Sequence, residues 1–301
     1  EGQDFASSVS WNGNLIENQY YQVAVTENGA IASWKDKTRN NRELVKSTNG
    51  LAVNDLGTGA GSIRVENEGA VSVTLVAESE SPLSHISRVT LFRDLARVEI
   101  RQNFDETQTW SFGFDLNNSN IWHEEVGAII NAKLTSDGGH YSPRDFNSRY
   151  DWLTLNHFVD MSDGNLGVTL SNADCYFMRL GSSTVAQLDT RTPQISVLAG
   201  GRVVGTGSGI YDQGGEDSFL QRFALTSHGA YDPVFAMKFA LEHQNPFVVG
   251  EVQGGAGYPA DFYSFLAIDN PNVLLWALKP ADDGIEAGIV VRLWNVSQDK
   301  Q

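Results

Sequence analysis

The chain has 301 residues, 41% of them hydrophobic and 19% charged, a usage that supports one large folded core or two smaller ones and excludes a disordered chain. Its 21 Lys+Arg stand against 37 Asp+Glu, a net charge of −16 that repels a phosphate backbone or an anionic membrane. Nucleic acid and membrane are therefore set aside as partners, while neutral ligands such as sugars stay open.

The single cysteine, Cys175, excludes an internal disulfide and a cysteine-rich zinc knuckle. Its neighbours Tyr176, Phe177 and Met178 mark it as a small buried hydrophobe in an apolar strand. A chain without disulfides suits the cytoplasm and the periplasm alike. The 29 Gly against 3 Met fit a turn-rich β protein better than a helical bundle.

In chain order, Tyr21, Val23 and Val25 alternate with Gln22 and Ala24, the chain turns at Asn28-Gly29, and Ile31 and Trp34 follow. This is a hairpin signature, and Asn-Gly predicts a type I′ turn. Period-two segments come next at Val71, Val73 and Leu75, at Val89 and Leu91, at Val98 and Ile100, and at Trp110, Phe112 and Phe114. Short strands separated by turn residues point to a sandwich or barrel.

A polar loop from Ser136 to Arg149 interrupts the pattern. Around it Tyr141, Arg144, Asp145, Arg149 and Trp152 form a candidate sugar-binding set, since an aromatic ring covers the C–H face of a pyranose while Arg and Asp bond its hydroxyls. The crowding of charge and aromatic groups predicts that the loop faces a cleft or a partner. Beyond it Leu153, Leu155, His157 and Val159 share one face of a predicted strand, which makes His157 a core histidine. Leu166, Val168 and Leu170 repeat the pattern.

One helix is predicted after the strand through Phe219, Gln221, Phe223 and Leu225. Asp232 caps it, Pro233 opens it, Val234, Met237, Lys238 and Leu241 share a face, and Pro246 stops it. Gly250 to Gly257 reads as a linker or exposed loop. The segments at 273–278 and 289–294 read as a final hairpin pair.

No complete catalytic motif is present. His123, Glu124 and Glu125 resemble the start of a zinc-protease motif, but Gly127 stands where the second histidine belongs. No nucleophile elbow and no alternating β/α units occur. The paired acids Asp282-Asp283 and Glu216-Asp217 lie in turn-like surroundings and read as solvated surface charge. The site expectation is accordingly no catalytic residue and no metal ligand in this chain.

Two stretches carry a family resemblance: residues 157–172, reading His-Phe-Val-Asp-Met-Ser-Asp-Gly-Asn-Leu-Gly-Val-Thr-Leu-Ser-Asn, and residues 264–284, beginning Ser-Phe-Leu-Ala-Ile-Asp-Asn-Pro-Asn-Val-Leu-Leu-Trp. They resemble the carboxyl-terminal half of the family-38 glycoside hydrolases, the zinc-dependent retaining α-mannosidases. The resemblance implies an all-β fold: a galactose-mutarotase-like two-sheet supersandwich with one short helix, followed by the start of a smaller β domain. It divides the chain into a supersandwich at 1–249, a glycine-rich linker at 250–260 and a truncated terminal β domain at 261–301.

The same resemblance implies a non-catalytic region that supports an amino-terminal catalytic barrel, its partner in the same protein, and lines a cleft for mannosides or other sugars. The zinc is expected in that barrel, because the His-x-Asp zinc motif is absent here. The readings set beside it are a free-standing carbohydrate-binding module and a mutarotase-type sugar epimerase.

Overall fold

The computed structural model describes residues 8–117, 119–143, 149–201, 218–251, 257 and 263–297. The strands of the first half, in chain order, are β1 (Ser10–Asn12), β2 (Leu15–Glu17), β3 (Tyr21–Val25), β4 (Ile31–Asp36), β5 (Arg42–Glu43), β6 (Val53–Asp55), β7 (Gly61–Glu68), β8 (Ser72–Ser79), β9 (His85–Phe92), β10 (Val98–Phe104) and β11 (Gln108–Gly113). There follow β12 (Asn120–Glu125), β13 (Ala128–Asn131), β14 (Leu153–Thr154), β15 (Phe158–Ser162), β16 (Gly167–Asn172), β17 (Phe177–Leu180), β18 (Gln194–Ala199) and β19 (Phe219–His228). After helix α1 (Pro233–Gln244) come β20 (Val273–Ala281) and β21 (Gly284–Asn295). The fold is all-β, as expected.

Two compact units divide the chain, Glu1–Tyr231 and Asp232–Gln301. The first is a two-sheet sandwich. One sheet is ten-stranded, ordered β1-β2-β3-β4-β6-β11-β18-β17-β14 with β5 on β4, and the other is nine-stranded, ordered β13-β12-β15-β16-β19-β10-β9-β8-β7. Alternation decides what lies between them: in β10, Val98, Ile100, Gln102 and Phe104 are buried while Arg101 is exposed. Trp34, Trp110, Phe112 and Phe114 from one sheet share a core with Leu75, Ile100, Val168 and Phe223 from the other, and Phe112 meets Phe223 edge to face at 5.3 Å. Full burial of side chains this size stabilises by about 1.5–3 kcal/mol each.

The β3–β4 hairpin forms as predicted, with a different turn. Gly29 alone has positive φ, at 87°. Its amide donates to the Thr26 carbonyl and the Thr26 amide donates to the Ala30 carbonyl, so the connection is a three-residue loop with glycine in the left-handed position, not a type I′ turn. Close packing explains the residue: a Cβ at Gly29 would lie 2.3 Å from the Ser87 Cβ.

The predicted strand through Leu153, Leu155, His157 and Val159 is two strands. β14 pairs with β17 in the ten-stranded sheet, and β15 pairs with β12 and β16 in the nine-stranded sheet. The chain crosses between sheets at 155–157, which places His157 at the crossover instead of in the core.

The buried Asn172 side chain holds this crossing. Its amide donates to the carbonyls of Leu155, Asn156 and Cys175, and its oxygen accepts from the Cys175 amide. Cys175 therefore lies in the turn before β17 and not in a strand, though it is buried as expected.

The second unit holds α1 and the β20–β21 hairpin. Asp232 accepts from the Val234 amide at 2.8 Å and Pro233 opens the helix, as the sequence indicates. The hairpin is a two-stranded antiparallel sheet in which Trp276 packs edge to face on Trp294 at 5.0 Å.

Candidate functional site

A gathering of titratable and aromatic side chains lies where the crossover meets β12. Alternation along β12 sends Trp122 and Glu124 to one face and His123 and Glu125 to the other. On the core side, His123 is fully buried and its Nε2 meets the Tyr141 hydroxyl at 2.9 Å. The rings stack with centroids 6.1 Å apart. Burial drives the His123 pKa down to about 4, so the ring is neutral. Burial and the Glu125 carboxylate both push the Tyr141 hydroxyl up, keeping it protonated.

On the opposite face two carboxylates each hold a histidine. Glu124 Oε2 lies 2.7 Å from His157 Nδ1, and its Oε1 accepts from the Gly127 amide. Burial works against ionisation of Glu124, but the hydrogen bonds from His157 and Gly127 outweigh it and hold the carboxyl below its ordinary range.

One strand over, Asp160 stands directly opposite Trp122. Asp160 Oδ2 accepts from the Thr169 hydroxyl at 2.6 Å and meets His228 Nε2 at 2.7 Å. Gly167 makes room for the His228 ring, since a Cβ there would lie 2.2 Å from its Cε1. Trp122 itself stacks on Tyr231, centroids 5.2 Å apart and planes 7° apart.

A carboxylate bonded to one imidazole nitrogen fixes the ring's orientation, and at His228 the Asp160 carboxylate also raises the pKa. Both carboxylates are buried, so each acts on its histidine and neither stands open as a nucleophile. His157 is the more accessible ring, with 22% of its side chain exposed against 8% for His228.

Of the residues predicted for sugar binding, Arg144 and Asp145 lie outside the described residues. Tyr141 is engaged with His123 on β12. Arg149 pairs with Asp151 through Nε at 2.7 Å and Nη2 at 2.5 Å, and Trp152 lies beneath the Arg179 guanidinium of β17, 5.5 Å from the ring centroid. Tyr141 and Trp152 thus contact strands of different sheets, and the Tyr150 hydroxyl, donating to the Ser142 carbonyl at 2.8 Å, ties the two ends of the loop together.

The sequence alone gives no role to Asp160 or His228, and none to Glu124 beyond the incomplete zinc-protease start that contains it. Their pairings span 33 and 68 residues, so no local spacing announces them. The one available signal was an acid inside the apolar run Phe158, Val159, Met161, because a carboxylate buried in a strand needs a partner.

No known protein-family model matches the sequence, and no curated protein sequence matches it. Solved structures do match. An α-mannosidase from Enterococcus faecalis V583 superposes with a TM-score of 0.73 at 14% identity, covering 99% of this chain and 38% of that one. A glycosyl hydrolase family 38 protein from Enterococcus faecalis superposes with a TM-score of 0.67, also at 14% identity, covering 99% and 40%. A galactose mutarotase-related enzyme from Lactobacillus acidophilus gives 0.41 at 14% identity, over 72% of this chain and 98% of that one. The chain thus spans about two fifths of the length of the two glycosidases, and at this identity the likeness establishes a shared fold.

Proposed function

We propose that this chain is the non-catalytic β region of an α-mannosidase-like glycosidase, standing beside a catalytic domain of the same protein and lending a wall to its sugar cleft. The observation that carries the reading is the superposition of 99% of the chain on a part of an α-mannosidase, with a TM-score of 0.73. The chemistry of the carboxylates supports it. A retaining glycosidase needs two carboxyl groups about 5 Å apart across the sugar, whereas Glu124 and Asp160 are each buried and bonded to a histidine.

Among the described residues no three His, Cys, Asp or Glu side chains converge as a metal site. In this reading zinc would be held by the other domain, and no step passes through it here. The wall would be drawn from the loop at 141–152, with Arg149 bonding and Trp152 covering a sugar ring.

The test compares the 301-residue chain with the product of the complete reading frame that contains it, on a chromogenic α-mannoside. Hydrolysis by the longer product alone is expected, with Arg149→Ala raising KM more than it lowers kcat, because a wall residue supplies mainly uniform binding. Turnover by the 301 residues alone, or a longer product without any glycosidase activity, would overturn the reading.

A further inference from the structure

The connections flanking β12, β13 and β18 form a cavity of about 310 Å³, lined by Ser119, Lys133, Asp137, Thr190 and Arg191 together with two leucines, Leu134 and Leu188. It is separate from the groups around Glu124 and His157, and three features of it point to a ligand.

The first is an unsatisfied hydroxyl. Ser119 is 5% exposed, and its Oγ is buried without a hydrogen-bond partner among the described residues. Such a group costs about 1–3 kcal/mol unless something reaches it.

The second is charge. The Lys133 ammonium donates to the Asn120 side-chain oxygen, a neutral acceptor, and among the described residues neither Lys133 nor Arg191 forms an ion pair. Asp189, the nearest acid to Arg191 in sequence, is engaged by the backbone amides of Ser182, Arg191 and Thr192. Two cations without an ion-pair partner therefore border one cavity beside the single carboxylate of Asp137, in a chain of net charge −16 where local attraction must overcome the field of the whole molecule.

The third is the mixture of the remaining lining. Asp137 is an acceptor, Ser119 and Thr190 both donate and accept, and Leu134 and Leu188 offer apolar surface. A ligand with one anionic group, several hydroxyls and a C–H face satisfies all of them, and the volume accommodates one ring.

We propose that this cavity binds a small polyhydroxylated anion, of the class of the uronic acids and sugar phosphates. The anionic group lies between Lys133 and Arg191, where charge-assisted hydrogen bonds are strongest. Ring hydroxyls reach Asp137, Thr190 and the buried Ser119, and the carbon face lies against the leucines. The proposal does not depend on the mannosidase-like reading.

The experiment is isothermal titration of the 301-residue chain with glucuronate, glucose 6-phosphate, glucose and inorganic phosphate. Saturable binding of glucuronate or glucose 6-phosphate is expected, at least about tenfold tighter than glucose or phosphate, and the preferred probe separates the two sources of the anion. Arg191→Ala, at an exposed position, should weaken that binding about tenfold without moving the thermal midpoint, the loss of one charge-assisted contact. Ser119→Ala should weaken it a few-fold. No binding of either sugar anion, equal binding of phosphate and glucose 6-phosphate with none of glucuronate, or full affinity in Arg191→Ala would each overturn the proposal.

Discussion

His228 and Asp160 meet at 2.7 Å on the nine-stranded sheet, and the other ring nitrogen of His228 faces the Gly229 carbonyl at 3.1 Å. Both contacts are acceptors, so only the doubly protonated ring donates to both. Burial opposes that charge, but the Asp160 carboxylate outweighs it and raises the His228 pKa above 6.5. A histidine whose folded pKa is raised contributes stability in full below its unfolded value and loses it as pH rises through the folded one. Urea denaturation of the wild type should therefore show a fall in stability from about pH 6.5 upward that Asp160→Asn lacks. His228→Leu, which leaves a buried carboxylate without its cation, should cost about 3–5 kcal/mol near neutral pH. An unchanged alkaline profile in Asp160→Asn would contradict the charged pair.

His123 responds in the opposite direction. Its folded pKa lies at about 4, against 6.5 ordinarily, so the fold binds the neutral ring and the unfolded chain takes up the proton. The contribution is complete above about pH 6.5 and is lost as pH falls toward 4, amounting to about 3 kcal/mol. His123→Gln should flatten this part of an acid-denaturation curve, measured between pH 7 and 4 by tryptophan fluorescence. A curve that keeps its full slope in the variant would place the acid sensitivity elsewhere, on the carboxylates.

The difference between what the sequence announces and what it hides is a matter of range. The β3–β4 hairpin and the capped helix rest on neighbours in the chain: Tyr21, Val23 and Val25 alternate, and Asp232-Pro233 start a helix whatever surrounds them. The turn type at Gly29 was hidden because Ser87, 58 residues away, limits the space there. The run Leu153, Leu155, His157, Val159 alternates without interruption, yet it changes sheets. Only Asn172, gripping the carbonyls of Leu155 and Asn156, marks where it breaks. The site was least legible of all. Tyr141 was singled out, but its partner His123 and the acids Glu124 and Asp160 gain meaning only when β12 and β15 become neighbours.

Cys175 should be inert while the protein is folded. Burial drives its pKa far above that of a free thiol, and Sγ donates to Gln221 Oε1 at 3.0 Å; the thiolate is the nucleophile, so neither access nor charge favours reaction. Titration with a thiol-reactive chromophore should give no modification in native buffer and one equivalent in denaturant. Rapid native modification would mean that the turn before β17 opens readily.

Arg101 lies on β10 directly between Arg88 of β9 and Arg222 of β19. The two outer guanidiniums are neutralised: Arg88 holds Glu66 at 2.7 and 2.8 Å, and Arg222 holds Asp174 at 2.9 and 2.7 Å. Arg101 is exposed and, among the described residues, forms no ion pair or hydrogen bond through its side chain. Like charges directly opposite in neighbouring strands are destabilising by a few tenths of a kcal/mol to about 1, and threonine suits an exposed strand position better than a third cation that, unlike its two neighbours, has no ion-pair partner. Arg101→Thr should therefore raise stability by about 0.5 kcal/mol at low ionic strength. Salt screens charges near the surface within about 10 Å at 0.1 M, so the gain should shrink as salt is added. Thermal denaturation of both proteins at 10 mM and 500 mM sodium chloride reads the difference directly. A variant that is less stable at both concentrations would show that the arginine stem, by covering its neighbours on the sheet, contributes more than its charge costs.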